Sequence, residues 1–88
     1  MEYYETINGY IRISNELYNE FEKIFNKKEE CHLTFLNNNN KVSIKSKISK
    51  FLNINGSEYM DTSVGTRIRL DKIITLNGEN TKSLNHYA

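Results

Sequence analysis

The chain of 88 residues contains no proline, one cysteine and only four glycines. A lone Cys31 excludes an internal disulfide and fits a reducing compartment. The missing proline removes any Pro-rich linker that would divide the chain. No apolar run approaches the roughly 18 residues needed to span a bilayer. The opening "MEYYETINGY" has neither a basic start nor the apolar segment of a signal peptide. A cytoplasmic protein without membrane association is therefore expected. Neither "ING" nor "VGT" is a phosphate loop, because each has a single Gly and no Lys-Ser/Thr sequel.

Catalytic constellations are equally scarce. Cys31 and His32 are neighbours in a predicted strand, so their side chains point to opposite faces and cannot act as nucleophile and base. His86, the other histidine, lies in the tail, and no Cys, His, Asp and Glu group has metal-ligand spacing. Glu20 and Glu22 do not share a helix face at that spacing, which argues against a general acid/base pair. No enzyme, cofactor or metal site is expected.

What is present is enough for one core. A domain of this size buries roughly 60 to 65% of its unfolded surface, and 38% hydrophobic residues with six Tyr and four Phe can fill it. The net charge of +1 hides an asymmetry. Residues 1–30 hold seven acids against four bases, and residues 31–88 hold eight bases against four acids. Such a division suits two faces with different partners.

Ser14 stands where a helix needs its N-cap, with Glu16 in the first turn to meet the positive end of the dipole. Leu17, Phe21, Ile24 and Phe25, with Tyr18 at the edge, then recur at helical spacing to about Asn26. From Cys31 the period becomes two, with Cys31, Leu33 and Phe35 on one side. "NNNN" at 37–40 is a turn, after which Val42, Ile44 and Ile48 alternate with Lys41, Lys45 and Lys47 in a second strand. "NING" reads as a turn, "SEYMDT" as a third strand, "SVGT" as a turn and "RIRLDKIITL" as a last strand or pair, closed by "NGEN". Residues 1–80 are expected to form one domain, with a frayed, disordered tail over 81–88. One helix followed by closely spaced strands predicts an α+β, mostly β fold: a small Sm-like antiparallel barrel with the N-terminal helix packed on it. Ile68 and Leu70 should face inward with the helix stripe. Arg67 and Arg69 should be wet, and Asp71 should accept backbone N–H bonds where the chain turns. Lys41, Lys45, Lys47, Arg67 and Arg69 could form a cationic strip for RNA, or a solvated edge that discourages strand addition.

Two segments resemble the Rof family, small bacterial proteins that bind the transcription termination factor Rho and inhibit it. "YIRISNELYNEFE" resembles the family's opening pattern, with Tyr10, Ile13, Glu16, Tyr18 and Glu22 in agreement. Arg12, Asn15 and Asn19 stand where that pattern has Pro, Cys and Asp. "GSEYMDTSVGTRIRLDKIITLNG" resembles its Gly, x, Glu, aromatic segment and the "IRLDKI"-like strand after it. The resemblance implies a Sm-like barrel with an N-terminal helix, a monomer, and a mechanism in which the protein covers Rho's primary RNA-binding surface. The implied contact set is Tyr10, Arg12, Glu16, Asn19, Glu20 and Glu22. The alternative is a Sm-like module that binds RNA directly through the basic strand face.

Overall fold

The computed structural model describes residues 9–83. Helix α1 (Asn15–Lys27) starts at Ser14, whose extended backbone places Oγ 3.2 Å from the Leu17 amide that donates to it. The cap leaves one fewer orphan donor in the first turn. Replacing Ser14 with Ala should cost about 1 kcal/mol of unfolding free energy in a urea titration. Leu17 and Phe21 are fully buried, while Ile24, Phe25 and Tyr18 pack half-buried against the same core. Phe51 receives the helix, with ring centroids 5.2 Å from Tyr18 and 5.4 Å from Phe25.

Seven short strands follow: β1 (Cys31–Asn37), β2 (Asn40–Ser46), β3 (Ile48–Ile54), β4 (Ser57–Thr62), β5 (Arg67–Arg69), β6 (Ile73–Leu76) and β7 (Glu79–Asn80). The hairpins turn on Asn38–Asn39, Asn55–Gly56 and Asn77–Gly78, all six residues having positive φ between 51° and 84°. Two left-handed residues in a two-residue loop give a turn whose twist matches the flanking strands, and Asn and Gly tolerate that conformation best.

The fold is α+β and mostly β, as expected, but the strands form two antiparallel sheets, β2-β1-β6-β7 and β3-β4-β5, that do not close into one barrel. The single second strand expected through Ile48 is likewise two strands, because the chain breaks at Lys47. There the Lys47 N–H donates to Ser63 Oγ at 3.1 Å, and its carbonyl accepts from Ser63 N at 2.9 Å and from Ser46 Oγ at 2.9 Å. A backbone committed to a loop cannot continue a ladder. A 3-10 turn, Leu70–Lys72, separates β5 from β6 in the same way.

The core joins Leu33 and Phe35 of β1 with Met60, Ile68, Leu70, Ile73 and Leu76, closed by Leu17 and Phe21. Tyr10 and Ile13 ahead of the helix belong to it too. The tail expected to fray from Thr81 is ordered for its first three residues, which form a 3-10 turn. Thr81 is buried, and its hydroxyl donates to the Ile73 carbonyl at 2.7 Å, with that of Ile74 at 3.0 Å. Residues 84–88 of that tail lie outside the described residues.

Candidate functional site

The side of α1 turned from the core carries Asn15, Glu16, Asn19 and Lys23, all exposed, with Glu20 and Glu22 half-buried at its margins. Glu20 and Glu22 lie about 160° apart around the helix, so the acidic set divides into two flanks. On one flank Arg12, Asn15, Tyr18, Asn19 and Glu22 line an open concavity with Glu58 of β4. Of the residues expected as contacts, Arg12, Asn19 and Glu22 are therefore brought together. Asn15, Tyr18 and Glu58 were not anticipated there, and Glu58 is a register effect of β4 that no local pattern signals. The Tyr18 hydroxyl is held neutral above its usual range, first by burial and then by the carboxylates of Glu58 and Glu22. Glu16 and Glu20 face the other flank, where Glu20 accepts from Lys23 at 2.9 Å. An exposed pair at this spacing contributes only a few tenths of a kcal/mol.

Tyr10 is placed differently from the expectation. It is 1% exposed, and its hydroxyl donates to Glu58 Oε1 at 2.9 Å, so its ring belongs to the core and not to an outward contact set. The alternation of Tyr10, Arg12 and Ser14 with Ile11 and Ile13 resembles a strand edge. Ile11 does form a single β-bridge, and beside it Tyr10 lies in the core.

The cations of the alternative RNA site are also redistributed. Lys41 and Lys45 are exposed on β2, and Lys47 is exposed at the break. Lys45 approaches Glu30 only to 3.9 Å, with both side chains more than half exposed. Arg67 is exposed but forked on Asp61, with Nε 2.8 Å and Nη2 3.1 Å from its two oxygens. That pairing, foremost through its hydrogen bonds, holds the Asp61 carboxyl below the usual carboxylate range. Arg69 is not the wet side chain the alternation predicts. Only 18% of it is exposed, it is forked on Asp71 at 2.6 and 2.9 Å, and its guanidinium lies 5.9 Å from the Tyr10 ring centroid. Asp71 also accepts the Ile11 N–H at 3.1 Å, the backbone-bonding role anticipated for it, although its donor comes from a distant segment and not from its own turn.

Cys31 and His32 do point apart, the thiol buried and the imidazole exposed. Burial raises the Cys31 pKa, which suppresses the thiolate needed for nucleophilic chemistry. Among the described residues no three His, Cys, Asp or Glu side chains converge as metal ligands, and no helix is long and apolar enough to cross a membrane. His86 lies outside the described residues. No family model, curated protein or solved structure matches this chain.

Proposed function

We propose that this protein is a Rof-type antiterminator with a Sm-like fold: it binds the termination factor Rho and covers the primary RNA-binding site, so that RNA cannot load. In this reading it works in the bacterial cytoplasm as a monomer and performs no chemistry of its own. The observation that carries the reading is the outward side of α1, where carboxylates and amides flank an open polar concavity bordered by Glu58. Carboxylates held on a rigid helix can take the places of phosphates on a basic RNA-binding surface. The N-terminal helix, the sharp bend at Lys47 and the pairing of β1 with both β2 and β6 support the Sm-like form of the fold.

A competition titration tests it. Labelled single-stranded RNA is placed on Rho and this protein is added, with a parallel measurement of RNA and protein without Rho. Displacement of RNA from Rho is expected, and no displacement at saturating protein would sink the reading. The double variant Glu20→Lys/Glu22→Lys should compete at least about tenfold less well, since like charges are then set against a basic site. Because the two residues occupy different flanks, the single reversals locate the contact. A larger loss for Glu22→Lys assigns the concavity side to Rho, and undiminished competition by the double variant removes this surface from consideration.

A further inference from the structure

The second sheet has an outward face that the antiterminator reading does not use. Its rows are fixed by register: Lys50, Asp61 and Arg67 stand abreast, and Leu52, Tyr59 and Arg69 form the next row. The alternate row, Phe51, Met60 and Ile68, turns inward, and α1 packs on that inner side through Phe51. Tyr59 is thus half-exposed on the outer side, directly opposite Arg69 and one row from Arg67 across the β4–β5 pairing. The register shift between Ile48 and Lys50 matters here. It moves the outward positions from odd to even numbers, so Lys50 follows Lys47 on the wet side of the bend although Ile48 between them is buried. Ser49, Thr62 and Gly65 complete an open concavity around Lys50, Asp61 and Arg67.

We propose that this face binds single-stranded RNA, with a base stacked on Tyr59 and the backbone passing Lys47, Lys50 and Arg67. An aromatic ring flanked by cations on an open sheet is the arrangement that single strands favour, because every base has a face to stack and every step a phosphate to neutralise. Asp61 decides between RNA and DNA. A carboxylate in the path of a phosphate backbone is repulsive unless the strand offers it a donor, and the ribose 2′-hydroxyl is such a donor. Asp61 is also forked on Arg67, which holds both groups in place for that contact. The surface is on the side of the sheet turned from α1, whichever flank of the helix meets Rho, so the two partners have separate sites.

Fluorescence polarisation of the full chain with a labelled mixed-sequence RNA of about 12 nucleotides, at about 50 mM salt, tests the proposal. Binding is expected, weakening with salt by about 0.7 log units per log unit for each phosphate contact. Tyr59→Phe keeps the ring and should retain the affinity. Tyr59→Ser should lose about tenfold, and Lys47→Glu/Lys50→Glu at least as much with a shallower salt slope. Circular dichroism confirms that each variant is folded. The Glu20→Lys/Glu22→Lys protein should bind this RNA no more weakly than the parent, which separates failure here from failure of the Rho reading. Absence of binding at low salt overturns the proposal, as does full affinity in Tyr59→Ser. Equal affinity for the matching DNA, or for a duplex of the same sequence, overturns the assignment to single-stranded RNA. A poly-glutamate peptide that binds as tightly as the RNA would assign the face to an acidic protein instead.

Discussion

Asp71→Ala should lower the unfolding free energy by about 3 kcal/mol and the melting temperature by about 12 to 24 °C, a large effect for one side chain near the surface. Asp71 is bound from two directions. It accepts both arms of the Arg69 guanidinium, at 2.6 and 2.9 Å, and the Ile11 amide at 3.1 Å. Removing the carboxylate takes the forked acceptor from a guanidinium that is only 18% exposed, and takes this acceptor from the Ile11 amide as well. Breaking a forked ion pair at such burial costs several times what a surface pair contributes. Arg67→Ala provides the contrast. Its pair with Asp61 has the same forked geometry, but the arginine is half exposed, and the loss should stay within about 1 kcal/mol. Equal losses in the two variants would show that Asp71 does not latch the segment before the helix onto the 3-10 turn. The measurement is a urea titration of each variant at neutral pH.

That pair of arginines shows where the sequence could be read and where it could not. The alternation in "RIRL" places Ile68 and Leu70 in the core, and they are there. Alternation alone assigns Arg67 and Arg69 to one wet face. It cannot say that Asp71 turns back upon Arg69, or that Tyr10 lies over it from the far end of the chain. The helix was legible because its signals are local: Ser14 caps it, and Leu17, Phe21, Ile24 and Phe25 give the stripe. The hairpins were legible for the same reason, since Asn-Gly and Asn-Asn pairs specify left-handed turns on the spot. The break at Lys47 was not, because Val42, Ile44 and Ile48 keep period two straight through it. What bends the chain there is Ser63, 16 residues further on. Of the helix surface, Arg12, Asn19 and Glu22 could be found from the sequence, whereas Glu58 enters their concavity only through the pairing of β4. For the basic residues the sign of charge was visible and its compensation was not. Asp61 and Asp71 pair with two of the five expected cations, leaving Arg67 half exposed and Arg69 largely covered, and the bulge before Lys50 brings in another.

Tyr10 separates a core role from a contact role most sharply, because its two obvious variants have different consequences. Tyr10→Ala removes a ring that is 1% exposed and should cost about 3 to 5 kcal/mol. Tyr10→Phe keeps the ring and deletes the hydroxyl with its 2.9 Å bond to Glu58, whose half-exposed carboxylate can turn to water, so its cost should be about 1 kcal/mol. Alkaline titration isolates the hydroxyl. Burial foremost, and then the Glu58 carboxylate, hold the folded phenol neutral far above its ordinary range. The unfolded chain releases that proton near pH 10 while the folded chain keeps it, so the unfolded state binds fewer protons. Stability is complete below that pH and falls above it, by about 1.4 kcal/mol per pH unit for one such group. The Cys31 thiol and the Tyr18 phenol are raised in the same direction and steepen the loss in every variant. The difference between the parent and Tyr10→Phe therefore reports Tyr10 alone. The two proteins should lie about 1 kcal/mol apart at neutral pH and converge, then cross, as pH rises past 10. A constant gap would place the ionisation elsewhere. In competition for Rho, Tyr10→Phe should match the parent, since the hydroxyl of a side chain 1% exposed and bonded to Glu58 cannot reach a partner. A tenfold loss there would return Tyr10 to the contact set and require the segment before α1 to open when the partner binds.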